Sequence, residues 1–239
     1  MKIFFILLLL LSYQTHGAIE DNSFLLEEAY NQKKDEYQFI HYYQSSKEGE
    51  QEYFFQLEAP LTHETHQLSF DFSYLRPSEI PEFTVSDTQL NYRYQAMKIN
   101  EHMLTERLTL VIPTGSERYD SGSGEYAFSF MQSATFPLGE RYMNHWNLGA
   151  TIYPHATTGI TAGTSIVYLY KDDLNFLAET LIETDHESDT SFYLNPGFRF
   201  ALDGEKGQLV PGIAFPFQYT ENKIFPGVFV YLSVEATLN

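Results

Sequence analysis

The chain has 239 residues, with 32 Asp and Glu against 14 Lys and Arg and a formal net charge of −18. That balance excludes a basic face for nucleic acid and a basic surface for peripheral membrane binding. The chain contains no cysteine, so an exported fold of this size draws stability from a large sheet or a membrane rather than from disulfides.

Residues 1–17 predict a cleavable secretory signal. Lys2 precedes a wholly apolar run from Ile3 to Leu11, and cleavage is expected between Gly17 and Ala18. The run is too short to cross a bilayer, which takes ~20 apolar residues. No later segment approaches that length without a polar break, so no transmembrane helix is expected. Residues 18–36 form a separate amino-terminal segment. Asp21, Asn22 or Ser23 would cap a short helix through Phe24–Tyr30. Such a helix is too short to stand alone. The segment is either a disordered leader or a small plug in the lumen, with Glu27 and Glu28 as its contacts.

From residue 37 to 239 the pattern changes to a period of two. Strands are expected near 37–43, 50–59, 65–75, 86–97, 103–113, 125–137, 141–153, 158–170, 174–184, 189–201, 207–218 and 225–236. In Gln67–Tyr74, Leu68, Phe70, Phe72 and Tyr74 share one face, while Gln67, Ser69, Asp71 and Ser73 share the other. Leu90, Tyr92 and Tyr94 likewise oppose Asn91, Arg93 and Gln95, and Trp146 and Leu148 oppose His145 and Asn147. A sandwich core would not accept that polar face, whereas a water-facing lumen would. Strands 37–43 and 225–236 carry apolar residues on both faces, so their orientation stays open. The aromatic share of 16 %, from 18 Tyr, 20 Phe and 1 Trp, suits strands and the interfaces of a membrane barrel. The fold class expected is an all-β antiparallel transmembrane barrel of about twelve strands with a short N-terminal helical segment.

Loop lengths alternate in the same sense. Arg76–Val85 and Thr114–Gly124 are long, and the latter reads as a mobile polar loop. The returns Lys98–His102, Leu138–Glu140, Lys171–Asp173 and Leu202–Lys206 are short. The lumen-lining candidates are Asp71, Asn91, Arg93, Gln95, Arg107, His145, Asn147, Asn195 and Arg199. The turn near Asn100 sets Arg93 opposite Arg107. Two like charges there need compensation from Asp71, Glu27, Glu28 or an anionic solute.

No catalytic site emerges. His186-Glu187-Ser188 reads as a solvated turn and Gly122-Ser123-Gly124 as loop rather than a nucleophile elbow. His63-Glu64-Thr65-His66 falls at a strand turn, not on the helix that a zinc pair of this kind requires. Asp172-Asp173 and Asp203-Gly204-Glu205 lack the ligand count of a calcium loop. Neither a metal nor a cofactor is expected, and the chain does not read as an enzyme.

Several blocks resemble a known family. Asp21–Gln32, Leu90–Gln95, Leu108–Gly115, His145–Gly149, Pro211–Phe217 and Gly227–Ser233 are similar, in order, to outer-membrane proteins grouped as transporters of the phenol-degradation (MetA) pathway type. The resemblance implies an outer-membrane barrel with a transport role. It brings neither a substrate nor catalytic residues. Such barrels commonly end on an aromatic residue read by the barrel-assembly machinery, whereas this chain closes Ala236-Thr237-Leu238-Asn239. The reading from sequence is thus a channel or transporter for small solutes, with anionic and aromatic ones as candidates and the substrate open, in a Gram-negative outer membrane and in contact with its lipid. The alternatives are a structural or adhesive barrel without transport and, further off, a lipid hydrolase.

Overall fold

The computed structural model describes residues 19, 23–46, 49–77, 81–119, 121–185 and 187–237. The signal, its cleavage site, the caps Asp21 and Asn22, and His186 lie outside the described residues. The strands are β1 (Glu36–Ser46), β2 (Gln51–Pro60), β3 (His66–Arg76), β4 (Thr84–Val85), β5 (Thr88–Ile99), β6 (His102–Ile112), β7 (Ala127–Pro137) and β8 (Tyr142–Ile152). They continue as β9 (Gly159–Lys171), β10 (Leu174–Thr184), β11 (Thr190–Phe200), β12 (Leu202–Gly204), β13 (Gly207–Ala214), β14 (Phe217–Thr220) and β15 (Lys223–Thr237).

Each long strand pairs antiparallel with the next, and β1 pairs with β15 from Glu36↔Thr237 to Ser46↔Gly227, which closes the sheet. β13 and β14 are two halves of one stave, the short β4 hangs on β3 and the short β12 on β13, so the wall is a closed barrel of twelve staves. Closure leaves no open edge.

The sequence pattern 207–218 runs through a break. At Phe215-Pro216 the ladder stops, because proline has no N–H to donate. Phe215 N donates to Pro196 O and Gly227 N donates to Pro216 O, which carries the wall across the gap. The stave resumes to Thr220 and turns through Glu221 and Asn222, both left-handed, as a two-residue hairpin loop requires.

Polarity is inverted relative to a soluble protein. Phe128, Trp146, Leu148 and Ile152 stand on the outside, at 62 %, 53 %, 60 % and 60 % exposure. Gln67, Asn91, Ser165, Glu179 and Asn195 are buried inside. Only lipid makes such an exterior favourable. The loop 113–126 is not a free polar loop. Asp87 accepts hydrogen bonds from Gly115 N, Ser123 N and Ser123 Oγ and ties it to the rim.

The expected amino-terminal helix is absent among the described residues; Ser23–Lys33 run as an extended, bent strap. The physical reason is competition for the backbone. Its N–H groups donate to side chains of the barrel rather than to carbonyls four residues back.

Candidate functional site

The inward faces of all twelve staves converge on residues 23–33. Leu25 N and Leu26 N donate to Glu179 Oε1 at 2.9 and 3.1 Å. Asn147 clamps one residue from both sides: its Oδ1 accepts from Glu27 N at 2.8 Å and its Nδ2 donates to Glu27 O at 2.9 Å. Ala29 N donates to Thr135 Oγ1, and Gln95 Nε2 donates to Ala29 O. Arg93 reaches the carbonyls of Glu28 and Tyr30, and Gln32 N donates to Gln67 Oε1. The remaining staves touch side chains of the strap. Ser23 meets Ser165, Gln32 meets Gln38 and Glu58, and Phe24 packs 5.6 Å from the rings of Phe229 and Tyr231.

Three glycines make room for it. A Cβ on Gly163 would lie 2.7 Å from Leu26 Cδ2, on Gly197 2.5 Å from Phe24 Cε2, and on Gly212 2.6 Å from Phe24 Cε1. The wall is thus shaped as a socket for the Phe24 and Leu26 side chains.

The two acids of the strap engage arginines of the wall, with His145 beside one of them. Glu27 pairs with Arg107, and Glu28 Oε1 pairs with Arg199 Nη2 at 2.9 Å, with His145 Nε2 at 3.5 Å. Arg93 and Arg107 are ladder partners. Arg93 faces Glu58 at 3.8 Å, so each member of the pair has its own carboxylate.

The nine residues singled out from sequence all point inward. Arg93, Gln95, Arg107, His145, Asn147 and Arg199 meet the strap directly. Asn195 acts one step away, donating to Glu179 Oε2 at 2.7 Å. Asp71 and Asn91 form a separate cluster: Asn91 Nδ2 donates to Asp71 Oδ2 at 2.7 Å and Ser69 Oγ at 3.0 Å, and Thr109 Oγ1 donates to Asn91 Oδ1. Asp71 therefore does not compensate the arginines. Glu58, Thr135 and Glu179 escaped the sequence reading, and Gln67, placed on the polar face by alternation, was not among the lumen-lining candidates. On β10 the inward face mixes Glu179 with Leu177 and Leu181, because Leu181 packs near Gly163 beneath Leu26, and this blurs the alternation that would have shown Glu179.

His145 Nδ1 shares a hydrogen bond with Thr135 Oγ1 at 2.8 Å, which occupies it structurally. His63 bonds Thr65 within its own turn, and His66 bonds Tyr92 on the outer face. Among the described residues no three of His, Cys, Asp or Glu gather closely enough to hold a metal ion.

Two cavities flank the strap. One of about 420 Å³ lies toward the long-loop end, with Ser23–Glu27 in its floor. The other, about 330 Å³, lies toward the short turns and is lined by Tyr30, Lys33, Lys98 and Lys171 among others.

No protein-family model matches this sequence, and no curated protein matches it closely. Solved structures do match the fold. An outer-membrane channel from Pseudomonas putida F1 has a TM-score of 0.64 at 13 % identity, covering 88 % of this chain and 98 % of that one. The NanC porin has a TM-score of 0.58 at 8 % identity, covering 83 % and 98 %. The KdgM porin in complex with disordered oligogalacturonate has a TM-score of 0.56 at 10 % identity, covering 85 % and 99 %. At these identities the likeness establishes the fold, a porin-type antiparallel barrel.

Proposed function

We propose that the chain is a channel for small solutes in a bacterial outer membrane, held shut at rest by residues 23–33. The observation that carries this reading is the combination of a lipid-compatible exterior with a polar lumen whose groups converge on one strap. The similar barrels support it: all are described as channels or porins, and KdgM is described with an oligogalacturonate. The resemblance to the phenol-degradation (MetA) type points the same way and leaves the solute open. Export by the signal of residues 1–17, insertion by the barrel-assembly machinery and contact with outer-membrane lipid complete the assignment.

In this reading Arg93 and Arg107 serve the strap first. Glu27 of the strap matches Arg107 while it is docked and Arg93 keeps Glu58 of the wall throughout, so an anion preference belongs to the state with the strap withdrawn and rests on Arg107. The test is single-channel recording in planar bilayers. The full chain should show low conductance with rare openings. A variant lacking residues 18–33, with the signal retained, should still fold and should conduct in a sustained way. A folded deletion variant that stays silent would favour the structural or adhesive barrel and overturn the channel.

A further inference from the structure

A carboxylate stands on the lipid side of the wall. Glu106 lies in the middle of β6, where its outward neighbours are Leu104 and Leu108, while Thr105, Arg107 and Thr109 face the lumen. Carboxylates elsewhere in the long strands share the inward parity, as Glu52, Glu58, Asp71, Glu179 and Glu183 do. The ladder partner of Glu106 on β7 is Gln132, which is also turned outward, between Phe130 and Ala134. Among the described residues neither of these two side chains forms a hydrogen bond or an ion pair. Acyl chains satisfy neither a carboxylate nor a carboxamide, and a polar group left without a partner in lipid is costly. A protein surface that supplies partners would remove that cost.

The relief around the pair indicates which surface. On the β5 side lies a hollow of about 340 Å³, lined by His66, Tyr92, Tyr94, Leu108 and Phe130 with Glu106 at its edge. On the β8 side Leu148, the ladder partner of Gln132, projects at 60 % exposure. Across four neighbouring strands the outer row therefore runs Tyr94, Glu106, Gln132, Leu148: hollow, acid, amide, knob. That order is complementary to itself under a two-fold axis. An axis along the membrane normal, passing between Glu106 and Gln132, sets each Glu106 carboxylate against the Gln132 amide of the other copy. It also sets each Leu148 over the hollow of the other copy. Strands about 4.8 Å apart and tilted by about 40° offset Glu106 from Gln132 by about 3 Å along the normal, which two long side chains take up.

We infer that two copies of this chain pair in the membrane through the β5–β8 face, with reciprocal Glu106–Gln132 hydrogen bonds at the two-fold axis. The donor that the carboxylate needs is on the patch itself, at the position that the axis exchanges with it. A partner of another kind would have to bring a cation for Glu106 and would leave Gln132 without a role. The contact lies outside the barrel and is independent of whether the lumen conducts.

Sedimentation equilibrium of the full chain in density-matched detergent measures the association directly. The unaltered chain should be a dimer. Gln132→Glu sets like charges against each other across the axis and should weaken the dimer about tenfold or more. Adding Glu106→Gln exchanges acid and amide, and the symmetry restores every pair, so the double variant should regain the affinity of the unaltered chain. Retained heat-modifiable migration on gels shows that the variants are folded. A monomeric unaltered chain would overturn the inference, as would a folded Gln132→Glu chain that pairs as before or a double variant no tighter than the single one. Leu104→Cys puts a thiol next to the axis in a chain that has no other, and a bifunctional maleimide should link two copies through it in native outer membranes. An adduct with a different protein in place of that dimer would refute the second copy as the occupant.

Discussion

Gly212→Ala should drive the strap out of its socket. Gly212 faces the lumen from the eleventh stave. A methyl there would stand 2.6 Å from Cε1 and 3.0 Å from Cζ of Phe24, with Arg199 Cβ at 3.2 Å. Carbon atoms rest at about 3.5–4.0 Å, so the ring must retreat by about 1 Å. Its path is blocked, because Phe229 and Tyr231 already hold it at 5.6 Å on their side. Overpacking of this kind costs about 1–3 kcal/mol. Most of the cost falls on the docked state, since withdrawal of the strap removes both Phe24 contacts and leaves only the looser approach to Arg199 Cβ. The docking equilibrium then shifts about 5- to 150-fold toward the withdrawn state. The chain has no cysteine, so a Ser23→Cys background provides one thiol on the strap. Ser23 is 1 % exposed when docked, so its maleimide labelling rate reports the withdrawn fraction. Labelling should accelerate in Gly212→Ala, and Phe24→Leu added to it should restore part of the protection. A folded Gly212→Ala barrel that labels no faster would show that the socket does not hold the strap.

Two further outcomes follow from the same geometry. Phe130 is 43 % exposed on the outer face and Ser129, one residue away, lines the outer cavity, so Phe130→Lys should lose about 2–4 kcal/mol of stability in reconstituted folding titrations while Ser129→Lys loses little; equal loss would contradict the inside-out assignment. Glu27→Gln should raise single-channel open probability by about 5- to 150-fold, the worth of roughly 1–3 kcal/mol for a charge-assisted bond, and Glu27→Arg with Arg107→Glu should lower it again; an open probability unmoved by the single change would remove this pair as an anchor.

The wall was legible because its information is local. Alternation sets the face of each strand, and turn length sets the register, as with Arg93↔Arg107 about Asn100, whose φ of 54° marks the turn. Most strand limits from the pattern fall within one to three residues of those observed. Two departures from the pattern have specific causes. Ser86 and Asp87 continue an alternating run but stay outside β5, because Asp87 is engaged in tying down the loop at Gly115 and Ser123. β1 and β15 showed no clean polar face because their inward Ile40, Phe229 and Tyr231 form the apolar bed of Phe24. The strap itself was illegible in conformation. Ser23 followed by acids and leucines looks like a capped helix, but several of its partners lie more than 100 residues away, at Thr135, Asn147, Ser165 and Glu179. No local pattern encodes that competition. What the sequence did display was the supply of inward donors and acceptors, without the identity of the peptide that uses them.

The energetics of that peptide decide whether it is a gate or a permanent core. A typical hydrogen bond nets roughly 0.5–1.5 kcal/mol once lost water contacts are counted. Ordering the backbone of a residue costs roughly 1–2 kcal/mol. From Leu25 to Gln32 the strap makes on the order of one or two such bonds per residue, so these terms nearly cancel. The margin rests on the burial of Phe24 and Leu26, worth about 1.5–3 kcal/mol each, and on the pairs of Glu27 and Glu28 with Arg107 and Arg199. A docked state held by a few kcal/mol lies within reach of a ligand: inverting a 99:1 ratio takes about 5.5 kcal/mol of differential affinity. On withdrawal the exposed Glu179, Arg93 and Asn147 exchange peptide groups for water, and the closed ladder of twelve staves is untouched. A lumen that was simply filled for stability would be cheaper with apolar side chains, which need no partners. This one is lined with groups that water can satisfy as well as peptide can, and that is the property a movable closure requires.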